Sequence, residues 1–340
     1  MTDIGHLAGV SRTTVDRVLK GKGEVSESAR SRILKVLAEN DYSPNKYASA
    51  LSKNEEFRIA VLFPQTPNSF YINKVADGIK FGFEDLTYSN KTLDFFWFEP
   101  SSEKSLEKTI NYIIDFSPKC VIIGPFMTKK DIIHITTIFA EREIYYSLVD
   151  SFFEDLNYVS FHGHNGYASG TFLSSILCKI NYAKNVILVK FAGKVNTIQQ
   201  KQRECGFIDY ICSHTHKNPT TIEVDAESLN DSSQLDIKHI PSNTTIVTLN
   251  SSISSIRDLF SDEVCRERKL HFCGYDESSK NLEYLRCGKI ELLICQHPFR
   301  QGIDVLNCLF NYCILKNQKK ITSFYPVDLL IKENASYYIS

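Results

Sequence analysis

The stretch Ile4-Gly5-His6-Leu7-Ala8-Gly9-Val10-Ser11-Arg12-Thr13-Thr14-Val15-Asp16-Arg17-Val18-Leu19 carries two short apolar stripes separated by a glycine. Ile4, Leu7 and Ala8 fall at i, i+3 and i+4, the spacing of one helical face, and predict a helix over about 3–9. Gly9 breaks that helix and Val10 buries the turn. Ser11 is a good N-cap for a second helix, whose stripe is Val15, Val18 and Leu19. Gly21 and Gly23 close it. Ser26 then caps a third helix, with Ala29, Ile33, Val36 and Leu37 inward and Arg30, Arg32 and Lys35 outward. Two short helices joined by a Gly-containing turn fit a helix-turn-helix, although bare three-helix patterns also occur in proteins that bind no DNA. Near the start of the second helix the outward side chains are Arg12, Thr13, Asp16 and Arg17. Arginine can pair with guanine O6 and N7, and threonine with bases or phosphates.

Charge follows the same division. The 340-residue chain has a net charge of −1, which gives no hint of a polyanionic partner. Residues 1–53, however, hold nine Lys or Arg against six Asp or Glu, a basic head on an acidic body. With 43% hydrophobic and 23% charged residues the composition is that of a globular protein. No basic, apolar export signal opens the sequence and no apolar run approaches the roughly 18 residues of a membrane span, so a cytoplasmic protein with no membrane partner is expected. Ten cysteines are scattered without Cys-x-x-Cys spacing, several of them (Cys120, Cys295, Cys308) within apolar runs. Buried free thiols are expected, and no zinc.

Beyond residue 57 strand-like runs alternate with helical patterns. The first series reads strand Arg58–Phe63, helix Ile72–Leu86, strand Leu93–Phe98, helix Glu103–Phe116, strand Cys120–Gly124, helix Lys130–Glu141 and strand Ile144–Val149. A second begins near Gly166 with helix 166–180, strand Val186–Lys190, helix 198–214 and strands Thr220–Val224 and Thr245–Leu249. It continues with helix 252–260, strand Leu270–Cys273, helix 278–287, strand Glu291–Cys295 and helix 299–315, and Phe324–Ile331 reads as a final strand. Such alternation predicts two lobes of parallel sheet covered by helices, with ligand beyond the carboxyl ends of the strands. No phosphate-binding loop, dinucleotide fingerprint or nucleophile elbow interrupts it, and no cofactor is expected. His162-Gly163-His164 lacks a third ligand nearby and reads as a strand-to-loop turn near the cleft, not a metal site.

The literal residues of the head resemble the lac repressor family: Ile4-x-x-Leu7-Ala8-Gly9-Val10-Ser11-x-x-Thr14-Val15-x-Arg17-Val18-Leu19, then Val25-Ser26-x-x-x-Arg30-x-x-Ile33 and Tyr42-x-Pro44-Asn45-x-x-Ala48-x-x-Leu51. The resemblance implies a helix-turn-helix head (1–43), a hinge helix and linker (44–56), and a two-lobed ligand-binding and dimerisation body (57–340). It implies DNA contacts from Ser11, Arg12, Thr13, Thr14 and Arg17 in the head and from Asn45, Ala48 and Leu51 in the hinge. Leu51 would wedge between base pairs in the minor groove. Asp16 stands where the family more often has Ser. Asp3 lies in the first helix where relatives have several residues before it, and Gly5 replaces a usual alanine, costing about 1 kcal/mol of helix propensity.

The body resembles the family's sensor, which is similar to periplasmic sugar-binding proteins. Asn68-x-Phe70-Tyr71 follows the first strand, with Ser69 in place of proline; Val149-Asp150 ends another. His164-Asn165 stands where Asp-Asn is usual. Arg203-x-x-Gly206-Phe207, Leu249-Asn250 (with Ser251 for an aspartate), Gly274-Tyr275-Asp276 and Gln296-x-Pro298-x-x-x-Gly302 complete the set. The implied ligand residues are Phe70, Tyr71, Asp150, His164, Arg203, Asn250, Asp276 and Gln296. Asp, Asn, Arg and Gln suit sugar hydroxyls, and rings such as Phe70 or Tyr71 suit sugar C–H faces. Plainer roles stay open: Phe70 and Tyr71 as core aromatics, Asp150 and Asp276 as turn or helix caps, Arg203 as a surface residue, Asn250 as an N-cap. A regulator, not an enzyme, is expected. It would be a homodimeric repressor on operator DNA, with a carbohydrate effector and a nucleobase or nucleoside kept open by the aromatic pair. A sugar-binding protein without a regulatory role is one rival. An enzyme using Asp150 and Asp276 as an acid/base pair is the other. No heptad tail follows the last strand, so no tetramerising coiled coil is expected.

Overall fold

A computed structural model describes residues 2–20, 23–40, 55–66, 69–125, 128–192, 197–225, 239–317 and 319–338. The chain divides into two compact units, Met1–Glu55 and Glu56–Ser340.

In the first unit, α1 (Thr2–Ala8), α2 (Arg12–Lys20) and α3 (Glu27–Glu39) follow the sequence pattern within about a residue. Ile4, Ala8, Val15 and Ile33 form its buried centre, with Val10, Val18, Leu19, Val36 and Leu37 packed around them. Gly9 has φ +64°, a left-handed residue that reverses the chain between α1 and α2. Gly5 has a packing reason despite its helix penalty. A Cβ there would lie 2.9 Å from Val10 O, and the same turn is tied by Val10 N–H donating to Gly5 O at 2.9 Å.

The second unit holds two six-stranded sheets of the same order. Lobe 1 runs β11-β5-β4-β3-β1-β2 and lobe 2 runs β12-β10-β9-β8-β6-β7. The lobe 1 strands are β1 (Phe57–Pro64), β2 (Lys91–Phe98), β3 (Cys120–Ile123), β4 (Tyr145–Val149), β5 (Ser160–Gly163) and β11 (Ile321–Phe324). The lobe 2 strands are β6 (Val186–Ala192), β7 (Thr220–Asp225), β8 (Thr245–Thr248), β9 (His271–Tyr275), β10 (Leu292–Cys295) and β12 (Asp328–Leu330). Every described pairing is parallel except β10 with β12. The central strands β1, β3, β8 and β10 are buried almost throughout. A strand covered on both faces reads as an unbroken apolar run, which is why these were legible.

Helices α4 (Phe70–Asp85), α5 (Glu103–Phe116) and α6 (Lys129–Glu141) lie along lobe 1, and α8 (Ile198–Thr215), α9 (Ile253–Arg257), α10 (Asp262–Arg268) and α11 (Ser279–Arg286) along lobe 2. Two more change sides. α7 (Gly166–Lys179) leaves β5 of lobe 1 yet sends Leu173 and Leu177 into the lobe 2 core beside Phe207 and Ile211. α12 (Pro298–Cys313) leaves β10 of lobe 2 and packs on α4 of lobe 1. Both crossings need glycine. A Cβ on Gly170 would sit 1.9 Å from Arg203 O, and one on Gly302 would sit 2.2 Å from Val75 O.

Three elements differ from the sequence expectation. The strand β5 (Ser160–Gly163) was not anticipated, because Ser160, His162 and Gly163 break its apolar signal. The single C-terminal strand is two, β11 in lobe 1 and β12 in lobe 2, with the chain crossing between the sheets at 325–327. Helix 252–260 stops at Arg257, and the charged run Asp262–Arg268 makes α10 with Cys265 as its one buried residue. All ten cysteines are free. Among the described residues no helix is long and apolar enough to cross a membrane, and no cluster of three His, Cys, Asp or Glu could hold a metal.

Candidate functional site

Two surfaces carry the candidate residues, one in each unit. On α2 the fully buried Val15 fixes which side faces inward; Arg12, Thr13 and Arg17 are exposed, Thr13 and Arg17 on the side away from Val15. Ser11 acts at the helix start: its Oγ accepts from Thr14 N at 3.1 Å and lies 2.8 Å from Thr14 Oγ1. These two hydroxyls therefore set the helix entry, while the basic pair and Thr13 are free to meet a partner. The first turn of α2 holds no acid, and Asp16 follows it on the same helix. Asn45, Ala48 and Leu51, and Asn68 of the body, lie outside the described residues.

In the body Asp150, His164, Asn250, Asp276 and Gln296 lie just past strands, whereas Phe70 and Tyr71 open α4 and Arg203 sits on α8. Asp150 follows β4 and Asp276 follows β9, the equivalent strands of the two lobes. Each is left-handed, with φ of 69° and 68°. In each the backbone N–H donates at 2.9 Å to the next strand, Asp150 to His162 O and Asp276 to Ile294 O. A non-glycine residue in that region is held at a cost of roughly 1–2 kcal/mol, so the neighbouring strands over-determine both turns.

Arg203 is the hub. It is 3% exposed, which removes the surface-arginine reading. Nη1 donates to Leu249 O (2.7 Å), and Nη2 donates to His164 Nε2 (2.8 Å) and to Gln296 Oε1 (2.6 Å). With its oxygen so occupied, Gln296 turns its amide N–H to Asp276 Oδ1 at 2.5 Å. A guanidinium can only donate, so His164 Nε2 accepts and the neutral ring carries its proton on Nδ1. Burial, and then Arg203, hold the His164 pKa well below its usual value.

Burial pushes Asp150 up to about 6, partly offset by Arg203, Ser151 and Tyr71. It pushes Asp276 up to about 7, reinforced by Glu277 and opposed by Arg203 and Gln296. Tyr71, half-buried at the start of α4, donates to Gln301 Oε1 at 2.5 Å, and Gln301 in turn donates to Gln296 O at 2.7 Å. Phe70 beside it is also half-exposed, so neither ring is plain core. Ser69, in place of proline, caps α4 by accepting from Ile72 N. Asp276 caps no helix, since Ser278 caps α11. Asn250 does make a turn: its Oδ1 accepts from Ser252 N at 3.0 Å, leaving its amide N–H pair to face other groups.

Sequence reasoning missed Gln199, Gln301 and Tyr325, and read His162 only as part of a turn near the cleft. Gln199 Nε2, on α8, donates to Asp150 O at 2.7 Å and to His164 O, stitching lobe 2 to the strand ends of lobe 1. Its only local signal is the capping box of Thr197 and Gln200 that starts α8. His162 Nδ1 lies 3.0 Å from Tyr325 Oη, whose proton goes to Asp304 Oδ2 at 2.6 Å. Among the described residues, six buried side-chain polar atoms have no protein partner: Thr66 Oγ1, His162 Nε2, His164 Nδ1, Gln199 Oε1, Arg203 Nε and Glu277 Oε2. Buried polar atoms left so are costly.

Residues 1–45 match the profile of the family described as "Bacterial regulatory proteins, lacI family". The sucrose operon repressor of Staphylococcus xylosus is 35% identical over 89 residues, 26% of this chain and 27% of its own length, so the match spans about a quarter of that relative. A crystal structure of a candidate LacI transcriptional regulator from Bacteroides fragilis superposes with a TM-score of 0.73 at 26% identity, over 84% of this chain and all of that one. An ABC-transporter solute-binding protein from Burkholderia graminis C4D1M, in complex with D-arabinose, gives 0.71 at 13% identity over 84% of this chain and 99% of its own, a likeness of fold. The relatives named are two regulators or candidate regulators and a binding protein, none an enzyme. Residues 1–45 are a lacI-family helix-turn-helix domain, joined to a body with the two-sheet fold of periplasmic-binding-protein-like regulators and sugar-binding proteins.

Proposed function

We propose that the chain is a ligand-responsive transcription regulator, a repressor, that binds a pseudo-palindromic operator in the cytoplasm as a homodimer. Its DNA affinity is set by a small molecule, a sugar, held where the strand ends of the two lobes meet. The observation that supports this best is the pairing of parts: a lacI-family head beside a body with a buried, incompletely satisfied polar cluster. The relatives include repressors of sugar operons, which is consistent with a carbohydrate effector.

In the head, Arg12, Thr13 and Arg17 read base edges, and Ser11 and Thr14 hold the helix end against the backbone. In the hinge, Asn45, Ala48 and Leu51 contact the minor groove. Dimeric helix-turn-helix proteins read two half-sites because the symmetry of the operator mirrors that of the protein. Ligand bound by Phe70, Tyr71, Asp150, His164, Arg203, Asn250, Asp276 and Gln296 changes the angle between lobes and hence the spacing of the two hinges.

Selection of bound duplexes from a random DNA pool, at a stated moderate salt, tests the reading. A recovered palindrome with a flexible pyrimidine–purine step at its centre supports it. A folded, dimeric protein that enriches no sequence refutes it. Leu51→Ala should weaken operator binding while leaving ligand affinity unchanged, and equal operator affinity would remove Leu51 from the hinge role.

A further inference from the structure

The hydrogen bonds around Arg203 also restrict the chemistry of what the cleft can hold. We infer that it takes an uncharged polyhydroxy molecule, a neutral sugar or cyclic polyol, and rejects phosphorylated or carboxylated derivatives. This rests on the effector-site reading above and narrows it.

An arginine grips phosphate or carboxylate by presenting two parallel N–H groups along one edge. Arg203 has no such edge left. Both Nη2 protons are committed, to His164 and Gln296, and one Nη1 proton to Leu249 O. The Nε edge therefore retains one proton, and the Nη1–Nη2 edge at most one. The ring of Tyr275, 4.3 Å from the guanidinium carbon, covers a face. His164 offers no second cation, because the bond from Arg203 keeps it neutral.

Facing this spent cation are two carboxylates from opposite lobes, which as ions can only accept. Asp276 has one oxygen taken by Gln296. Asp150 has Ser151 Oγ at 3.5 Å. What both lack is donors. A sugar hydroxyl donates to a carboxylate and can accept in the same bond network. A phosphate at neutral pH brings a charge of about −1.5 to −2 and at most one proton to give. Glu277, beside Asp276, adds a third acid against the one guanidinium of Arg203. An uncharged ligand leaves that charge as it is, whereas an anion adds an unmatched charge in a buried site. Three of the unpaired atoms fit the same class: Arg203 Nε and His164 Nδ1 are single donors and Gln199 Oε1 a single acceptor. Hydroxyls, each able to give and take, match them one by one.

Matched pairs test this on the full chain: ribose with ribose 5-phosphate, glucose with glucose 6-phosphate, galactose with galacturonate, plus arabinose, xylose, myo-inositol and adenosine. Each is followed by thermal unfolding and titration calorimetry. At least one uncharged polyol at millimolar concentration should raise Tm. A charged derivative of it should bind about 100-fold more weakly, as like charges in a desolvated site require. Asp276→Asn should cut polyol affinity about tenfold or more, with an unchanged circular dichroism spectrum. An anionic derivative that binds as well as its parent overturns the inference, as does binding of adenosine alone or of no polyol at all. The two readings fail separately. A polyol that binds without changing operator affinity supports this inference and removes the regulatory role; an anionic sugar that does change operator affinity does the reverse.

Discussion

The two lobes share strand order, a left-handed aspartate after the fourth strand and a glycine-dependent helix crossing, yet they prepare their aspartates differently. Asp276 of lobe 2 is wired: Arg203 orients Gln296, Gln296 holds Asp276, and Leu249 O anchors the arginine. Asp150 of lobe 1 has only Ser151 and the neighbouring Tyr71, and its wall is aromatic, with Phe70 and Tyr71 half-exposed. Lobe 2 offers a pre-ordered polar floor, and lobe 1 faces it with an aromatic wall, the acid Asp150 and His164, which is tied to Arg203. A polar network fixed before the ligand arrives lowers the ordering cost of binding. Lobe 2 should therefore take the ligand first, and lobe 1 should close on it.

The largest effect should come from Arg203→Met. It strands Gln296, His164 and the Leu249 carbonyl in a buried site, and breaking such a network by removing one charged partner costs roughly 3–5 kcal/mol. Urea unfolding measures it. Tyr71→Phe, the nearest lobe 1 counterpart, loses one neutral hydrogen bond and should cost only about 1 kcal/mol. Equal costs would erase the contrast between floor and wall.

Next come the crossings. Gly170→Ala in lobe 2 and Gly302→Ala on α12 against lobe 1 each force backbone apart, and overpacking of that kind costs about 1–3 kcal/mol. Here the lobes should behave alike, because both close approaches are to a backbone carbonyl.

A smaller, sign-changing effect separates the acids from the histidine. Asp150 and Asp276 have folded-state pKa values raised to about 6 and about 7, so their contribution to stability falls as pH rises from about 4 through 7. His162, pushed down to about 4 by burial, works oppositely: its contribution is lost as pH falls from about 6.5 toward 4. Asp276→Asn should thus stabilise the ligand-free protein at pH 7.5 by about 1–3 kcal/mol while weakening ligand binding. Without the acid's opposing effect, the variant should lose stability more steeply on acidification. Thermal unfolding from pH 4.5 to 8 reads both. Smallest of all, Ser69→Ala removes the α4 cap and should cost about 1 kcal/mol.

The same division governs what the sequence made legible. Ile4, Val15 and Ile33 announced the head because its core is local, spaced by helical periods within forty residues. Asp150, Asp276, Gln296 and Asn250 were legible through the family resemblance, at positions directly after apolar strand runs. Gln199, Gln301 and Tyr325 were not, since each acts across the fold. Tyr71 meets Gln301 230 positions away, and His162 meets Tyr325 163 away. Nothing in the local pattern of α12 or the 325–327 crossing says which strand end they will reach. The polar strand β5 was hidden for a related reason: its Ser160 is buried by pairing with Ser147 Oγ at 2.9 Å, a satisfaction only the sheet provides.

The most direct measurement is the affinity of the full chain for its selected operator duplex, by fluorescence anisotropy, with and without a saturating uncharged polyol that binds the cleft. If the cleft controls the head, operator Kd should shift by about fivefold or more, and linkage requires operator to change polyol affinity by the same factor. An operator Kd unchanged at ligand saturation would contradict that control.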